Sequence, residues 1–279
     1  MKIVTLIENT LGDNSSLIKE HGLSIFIETE ESNILFDTGQ SGNFILNAEK
    51  LNINLNKVDF IVLSHGHYDH TGGMKPLLEY IQTKPKLYVS QYFFLNSQKY
   101  YLLDASKSNL KYIGIDFNES YILDKNIPIN YINSYSYALT PKINIISNFQ
   151  RSCNFESLNK NMKIKINNKF YNDSFDDEIA LTIDTEKGLL VIVGCSHLGI
   201  VNIVDSIIKR TNKKIYGIIG GTHLIEADTH RISKTIQYLK DMNIQLIGVS
   251  HCTGKNAIET LKKETDKLFI NYTGKTIYL

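Results

Sequence analysis

The hexapeptide HGHYDH, residues 65–70, decides the architecture, since it directly follows the strand-like apolar run FIVL (60–63) and precedes TGG (71–73). Three imidazoles and a carboxylate within six residues have the ligand density of a metal site. His65 and His67 are two residues apart in an extended segment, so both rings can point the same way and bind one cation. Asp69 and His70 are then available to a second cation.

The ligand types in this loop narrow the choice of metal. Imidazole together with carboxylate suits zinc, iron or manganese better than magnesium or calcium. The loop therefore predicts one or two divalent ions, with zinc, iron and manganese as the candidates. Gly66 is expected to let the backbone fold tightly between the ligands.

Three further histidines each follow a predicted strand: His197 after residues 189–193, His223 after 215–219 and His251 after 245–249. Strand ends in a layered α/β fold share one edge, so separate pieces of the chain should bring imidazoles to one place. His197 and His251 are predicted metal ligands. His223 is interpreted as a ligand, a general acid or a substrate contact.

Other candidate residues have more than one interpretation. His21 and His230 are interpreted as surface residues. Cys195 and Cys252 are either soft metal ligands or simply buried thiols, and we favour the second interpretation. Asp37 ends another strand, where it either accepts the second N–H of a ligand imidazole or caps a turn.

The apolar periodicity predicts strands and helices in both halves of the chain. Strands are predicted at 3–7, 23–27, 34–36, 60–63, 86–89, 179–183, 189–193, 215–219, 245–249, 267–270 and 276–279, and helices at 44–51, 74–81, 200–208, 229–239 and 256–264. This order predicts an α/β layered fold, with two β-sheets packed face to face and helices outside. We expect one domain, 1–279, in which residues 92–176 are an elaboration or a cap over the active site.

Composition limits the classes of partner. The chain has 30 basic and 29 acidic residues and a formal net charge of +1, which gives no reason to expect nucleic acid or an anionic membrane. Glu8 interrupts the first apolar run before signal-peptide length, so we expect a cytoplasmic protein. Three widely spaced cysteines argue against a disulfide framework. A small-molecule substrate is the expected partner, and oligomeric state is not indicated.

The motifs resemble those of a known family. HGHYDH after an apolar strand, with Asp37-Thr-Gly upstream, resembles the metallo-β-lactamase superfamily. The segments GCSHLGIVNI (194–203), GGTHL (220–224) and SHCTG (250–254) are similar to its branch of dihydropterin-ribofuranosylaminobenzene-phosphate synthase-like metal-dependent hydrolases. The resemblance implies an αββα sandwich of two mixed sheets with the metal site at one rim.

The resemblance also implies a ligand set. One metal would take His65, His67 and His197, and the other would take Asp69, His70 and His251. Most members of the superfamily end a later strand in an aspartate that bridges two metals, whereas this chain has Gly194-Cys195 there. Asp176, Asp177 or Glu178 would compensate, or water alone would bridge, or the site would hold only one metal tightly. The expectation is two divalent ions, zinc first, with manganese or iron as alternatives.

The reaction implied by the resemblance is hydrolysis of an ester or phosphoester by metal-activated water. Asp69 would orient the water, and His223 would protonate the leaving group or contact the substrate. A phosphorylated substrate is slightly favoured, since the turn at 194–199 leads into a helix whose N-terminal amides can hold an anion. One alternative is a transferase that joins a pterin pyrophosphate to an arylamine and releases pyrophosphate. The other is a non-catalytic ligand-binding protein of the same fold.

Overall fold

The computed structural model describes residues 1–104 and 109–279, which form two compact units. The first unit comprises Met1–Asn133, Asn159–Asp177 and Tyr272–Leu279, and the second comprises Ser134–Leu158 and Glu178–Asn271. Each unit is built around its own mixed β-sheet. The expectation of a single domain over 1–279 stays a prediction.

The predicted elements of both halves are present, with further strands between them. The strands are β1 (Lys2–Ile7), β2 (Ser24–Glu28), β3 (Asn33–Phe36), β4 (Phe60–Val62), β5 (Lys86–Ser90), β6 (Lys99–Leu102), β7 (Leu110–Tyr112), β8 (Ile129–Ile132), β9 (Ser136–Ala138), β10 (Ile143–Ile146), β11 (Met162–Ile166), β12 (Lys169–Asn172), β13 (Ala180–Thr185), β14 (Gly188–Val193), β15 (Ile215–Gly221), β16 (Leu246–Ser250), β17 (Leu268–Ile270) and β18 (Thr276–Tyr278). The α-helices are α1 (Asn43–Lys50), α2 (Tyr68–Thr71), α3 (Met74–Tyr80), α4 (Glu119–Asp124), α5 (Ile200–Thr211), α6 (Thr229–Asp241) and α7 (Lys255–Glu264).

The sheet of the first unit has the strand order β18-β1-β2-β3-β4-β5-β8. Strands β18 to β3 pair antiparallel, and β3, β4, β5 and β8 pair parallel. Phe36 of β3 is opposite Val62 of β4, so the residues that follow both strands begin at the same edge of the sheet. That register places Asp37 beside the start of the histidine loop.

The sheet of the second unit has the order β17-β16-β15-β14-β13-β10-β9. Strands β14 to β17 are parallel, whereas β13 forms the predicted hairpin with β14 and pairs antiparallel with β10. Val193 is opposite Gly220, and Gly221 is opposite Ser250. The three segments that carry His197, His223 and His251 therefore leave the sheet at one edge.

The predicted elaboration, residues 92–176, is divided among three sheets. Strand β8 is the last strand of the first unit's sheet, and β9 and β10 end the second unit's sheet. Strands β12, β11, β6 and β7 form a separate antiparallel sheet within the first unit. Residues 105–108 of this stretch lie outside the described residues. The role of the stretch as a cap stays a prediction.

Helices α1, α3 and α5 each bury one apolar face in the core of their unit. Phe44 and Ala48 of α1 and Leu77 of α3 belong to the core of the first unit, together with strand residues such as Leu35 and Ile61. In the second unit, α5 buries Ile200, Ile203, Val204 and Ile207, at the spacing of one helical face. No helix among the described residues is long and apolar enough to cross a membrane.

Candidate metal centre

The Asp37 carboxylate, which is fully buried, organises the histidine loop of the first unit. Its Oδ1 accepts the backbone N–H of Ser64 at 2.7 Å, and its Oδ2 accepts the Ser64 hydroxyl at 2.7 Å. Oδ2 also accepts from Nδ1 of His70 at 2.6 Å. This confirms the interpretation that Asp37 accepts the N–H of a candidate ligand imidazole, the contact that orients most metal-bound histidines.

The Asp37 network also sets the tautomer of His65. Because the Ser64 hydroxyl donates its one proton to Asp37, its oxygen accepts from Nδ1 of His65, which lies 2.9 Å away. With its proton on Nδ1, the neutral form of each ring carries its lone pair on Nε2, the atom that would coordinate a metal. Burial, and then the neighbouring His70 and His67 rings, hold the pKa of His65 well below its ordinary value, so the ring is neutral. A neutral imidazole is the form that binds metal.

The predicted ligands of this loop lie together. The ring centroids of His65 and His67 are 4.6 Å apart, and those of His65 and His70 are 4.4 Å apart. Nε2 of His65 lies 3.1 Å from Nδ1 of His67. Asp69 is the fourth member, with its Oδ2 3.9 Å from Nε2 of His70.

His21 was interpreted as an unremarkable surface residue, but the structure places it against the loop. Its side chain is 53% exposed, and its Nε2 lies 3.2 Å from Oδ2 of Asp69. Asp69 itself is buried. His21 precedes a left-handed glycine, Gly22, and follows no strand, so the strand-end criterion could not find it.

The structure gives a different reason for a glycine at position 66 from the tight loop that the sequence led us to expect. Its backbone is not left-handed; instead, a Cβ there would lie 3.2 Å from Oδ2 of Asp177 and 3.4 Å from Cε of Lys99. That same Asp177 oxygen accepts the Gly66 N–H at 2.8 Å. The glycine therefore lets a buried carboxylate approach the backbone between His65 and His67.

Lys99 was not singled out from the sequence, yet it is fully buried. Its ammonium donates to Asp173 at 2.6 Å and to Asp177 at 3.0 Å, and it lies 5.0 Å from the centre of the Phe175 ring. Burial alone would lower the pKa of Lys99, but the two carboxylates outweigh it and raise that pKa above its ordinary value. Lys99 therefore stays charged and fixes Asp177, which holds Gly66.

The second unit carries the other three predicted residues at one sheet edge. The ring centroids of His197 and His223 are 4.2 Å apart. The ligand atoms of Cys195, His197 and His223 all lie within 4.8 Å of one another, and so do those of Cys195, His251 and Cys252. The histidines are thus accompanied by two buried thiols, which we had interpreted as simply buried.

The backbone at this edge is strained. Ser196, His223 and His251 adopt positive φ angles of 60°, 47° and 51°. Each such non-glycine residue costs of order 1–3 kcal/mol and persists only where the surroundings hold it. Strain of this kind clusters at functional sites.

In the second unit, a thiol and an imidazole shift each other's pKa values. Burial lowers the pKa of His223, but contacts with Cys252 and with Glu226, whose Oε2 lies 3.4 Å from Nε2, raise it to about 10. Burial likewise opposes ionisation of Cys252, yet Cys195, His223 and His251 bring the pKa of its thiol well below the ordinary value. The Cys252 thiol and the His223 imidazole thus each favour the charged form of the other.

The amides expected to bind an anion at residues 194–199 and at the start of α5 already have carboxylate partners. Glu178 accepts from the N–H groups of His197 at 2.7 Å and Leu198 at 2.9 Å. Glu156 accepts from the N–H groups of Val201 at 3.0 Å and Asn202 at 2.8 Å. The argument that this helix N-terminus favours a phosphorylated substrate is therefore wrong.

These bonds also remove two candidates for the missing metal bridge. Both carboxylate oxygens of Glu178 accept backbone N–H groups. Both oxygens of Asp177 are likewise engaged, one with Lys99 and the other with Gly66. Asp176 accepts from the Ser174 hydroxyl at 2.5 Å at an exposed position.

The donor set fits a metal of the zinc, iron or manganese type. The first unit supplies imidazole nitrogens and a carboxylate, with Asp37 fixing the tautomers, and the second supplies imidazole nitrogens and thiols. The residues that would hold an ion in the first unit are His65, His67, Asp69 and His70.

Comparisons with known proteins agree with these features. A sequence model of the metallo-beta-lactamase superfamily matches residues 18–145. The chain is 35% identical to the 7,8-dihydropterin-6-methyl-4-(beta-D-ribofuranosyl)-aminobenzene-5'-phosphate synthase of Methanocaldococcus jannaschii, over 99% of this chain and 96% of that protein.

Solved structures agree on the fold. A crystal structure described as a metal-dependent hydrolase of the beta-lactamase superfamily has a TM-score of 0.85 and 26% identity, covering 100% of this chain and 99% of that one. Zn(2+)-bound PqqB from Methylobacterium extorquens has a TM-score of 0.60 at 12% identity, covers 100% of both chains and shows likeness of fold alone. The fold class predicted from the sequence is confirmed.

Replacing Asp37 by asparagine should weaken metal binding while the fold is kept. The amide oxygen can still accept the Ser64 N–H, but the amide nitrogen cannot accept from Nδ1 of His70. Loss of such an orienting partner lowers metal affinity by roughly 10–100-fold. Competition with a chromophoric chelator measures the change. Asp59→Asn is the control, because Asp59 accepts only an exposed N–H from Asn33 near the opposite end of β4; equal affinities for both variants would contradict the prediction.

Replacing Lys99 by methionine should destabilise the protein strongly. The substitution leaves Asp173 and Asp177 buried without their cation, which costs about 3–5 kcal/mol. Lys163→Met on β11 is the matched control, since Lys163 pairs only with Asn172 at an exposed position and should change the free energy of unfolding by less than about 0.5 kcal/mol. Urea denaturation followed by circular dichroism compares the two variants, and coincident transitions would refute the role of Lys99.

Proposed function

Since the chain belongs to the metallo-β-lactamase superfamily, in the branch of the Methanocaldococcus jannaschii synthase, we propose that it is a metal-dependent hydrolase acting on a small-molecule ester or phosphoester. The observation that carries the proposal is the buried chain His70–Asp37–Ser64–His65. It holds the proton of both rings on Nδ1, so that Nε2 is the atom of each that would coordinate a metal. A buried carboxylate used in this way has little value for stability alone, because an apolar group would pack there without a desolvation cost.

The proposed ligand set is the one that the family resemblance implies. His65, His67 and His197 would hold one divalent ion, and Asp69, His70 and His251 would hold the other, with zinc as the first choice. The presence of imidazole groups at a sheet edge in each unit supports this assignment. The chemistry that such ions would supply when bound is a lowered pKa of bound water and stabilisation of developing negative charge.

Two side chains have proposed roles in the reaction besides coordination. The Asp69 carboxylate, buried beside His70, would accept a hydrogen bond from the attacking water and so orient it. His223, with Nε2 3.4 Å from Glu226, would give its proton to the leaving group. Glu226 is positioned to stabilise the charged ring before that transfer.

A second candidate function is transfer of an arylamine to a pterin pyrophosphate with release of pyrophosphate. The 35% identity to a synthase over nearly the full length of both proteins favours it. Its metals would bind the pyrophosphate group rather than activate water. The two candidates share the ligand set and differ in whether water is consumed.

Running the reaction in oxygen-18 water separates the candidates. A panel of chromogenic phosphodiesters, phosphomonoesters and lactones is offered to the metal-loaded protein, and a pterin pyrophosphate is offered with an arylamine. Hydrolysis places one solvent oxygen in the product acid or phosphate, which mass spectrometry detects. Pyrophosphate release that depends on the arylamine, without labelled product, would favour the transferase. Silence with every substrate at each metal would favour a binding protein that lacks catalysis.

Replacing His65 and His67 together by alanine should abolish activity and remove at least one equivalent of metal. The two imidazoles supply the first ligand pair of the proposed site, so the ion loses two bonds at once. Elemental analysis and turnover of the best chromogenic substrate measure the two effects. His230→Ala is the control, since His230 lies on exposed α6 surface. A double variant with full activity would refute the proposal.

Replacing His223 by glutamine should slow turnover by roughly 10²–10⁴-fold while both metals are retained. The amide keeps a polar group near Glu226 but has no transferable proton. Metal content by mass spectrometry and kcat on a substrate with a poor leaving group are the two measurements. A substrate whose leaving group needs no proton should be cleaved at nearly the native rate. Loss of metal instead would assign His223 as a ligand.

A further inference from the structure

Cys195 is the one described residue shared by the two candidate groups of the second unit. Its Sγ lies within 4.8 Å of the ligand atoms of His197 and His223, and also within 4.8 Å of those of His251 and Cys252. Ligands on one tetrahedral zinc, with bonds of about 2.0–2.3 Å, lie roughly 3.5 Å apart. The separations around Cys195 are only slightly larger than this. Small side-chain rotations would therefore let its sulfur coordinate an ion on each side.

The backbone around Cys195 is shaped to admit a second thiol. Cys252 Sγ donates to the Cys195 carbonyl at 3.3 Å. A Cβ on Gly221 would lie 2.5 Å from that sulfur and 3.3 Å from the Cys195 Cα, closer to the sulfur than packing allows. Gly221 is therefore required for the two cysteines to share this edge. Random burial of two thiols would not require a glycine on the neighbouring strand.

The side chains next to Cys195 are held in left-handed backbone conformations. Ser196, the next residue, has φ 60°, and its hydroxyl donates to the Gly221 carbonyl at 2.7 Å. His251, which precedes Cys252, has φ 51°. Such non-glycine conformations persist only where the surrounding structure holds them, so the positions of both residues are fixed by their contacts.

We propose that the Cys195 thiolate is a metal ligand that bridges two ions, one held also by His197 and the other by His251, in the place where the superfamily pattern has an aspartate. The inference rests on the proposed dinuclear metal site and names its missing ligand. The carboxylates Asp177 and Glu178 are engaged elsewhere, whereas Cys195 belongs to a group with His197 and to a group with His251. When the metal–sulfur bonds form, the thiol proton passes to solvent.

A bridging sulfur changes which metals the protein prefers. Thiolates are soft ligands that favour zinc and iron over manganese. A site with an aspartate bridge has only oxygen and nitrogen ligands and discriminates less strongly between these ions. The prediction for this chain is therefore zinc or iron in preference to manganese.

X-ray absorption at the zinc edge tests the ligand directly in the unaltered protein. Zinc-loaded wild type should show a sulfur scatterer at about 2.3 Å, the ordinary zinc–sulfur distance. Cobalt-loaded wild type should show a thiolate-to-cobalt charge-transfer band in the near ultraviolet. Full metal occupancy without sulfur scattering would overturn the inference and leave the proposed function standing. Failure to bind metal at all would overturn both.

Four variants identify the cysteine. Cys195→Ser and Cys195→Asp should both lose the cobalt band, and Cys195→Asp should keep two equivalents of metal because its carboxylate restores the oxygen bridge. Cys252→Ser and the control Cys153→Ser should keep the band; Cys153 is half-buried and in neither group. Circular dichroism checks folding. A band that survives in Cys195→Ser, or is lost in Cys252→Ser alone, would overturn the assignment to Cys195.

Discussion

The hydrogen bond between the Asp37 carboxylate and Nδ1 of His70 is the contact on which the first unit's site depends. It is formed at the edge of a parallel pair, where β3 and β4 end in register and Asp37 faces the Ser64 backbone. A buried carboxylate is costly unless hydrogen-bonded donors surround it. Here the donors are the serine and the imidazole that the metal chemistry needs, so stability and function require the same geometry.

A second buried charge supports the loop from the other side. Lys99 holds Asp177, Asp177 holds the N–H of Gly66, and Gly66 lies between two predicted ligands. Two buried carboxylates thus hold the backbone at the start of HGHYDH. Asp37 accepts the N–H of Ser64, and Asp177 accepts the N–H of Gly66.

The second unit reaches its geometry by a different route. Its histidines lie at the ends of three neighbouring strands, two of them, His223 and His251, in left-handed conformations, and two thiols lie among them. Glu178 and Glu156 satisfy the backbone N–H groups that the loop before α5 and the helix itself leave unpaired. Carboxylates that motif comparison suggested as metal ligands are therefore part of the backbone support, and sulfur is the ligand type that remains beside the histidines.

The sequence by itself determined the elements and the class of site. Apolar runs of strand and helix length located the core elements, and HGHYDH with the strand-end histidines located the candidate ligands, because both signals are local in the chain. The tyrosine-rich stretch 92–176 has weak periodicity, so that reasoning could not place β8 at the end of one sheet and β10 and β9 at the end of the other. Only the tertiary structure showed that Lys99 pairs with Asp177, that Glu178 caps amides and that Cys195 lies between two histidine groups. These contacts join residues that are distant in sequence. They depend on burial, charge pairing and strand register at the same time, so no single segment encodes them.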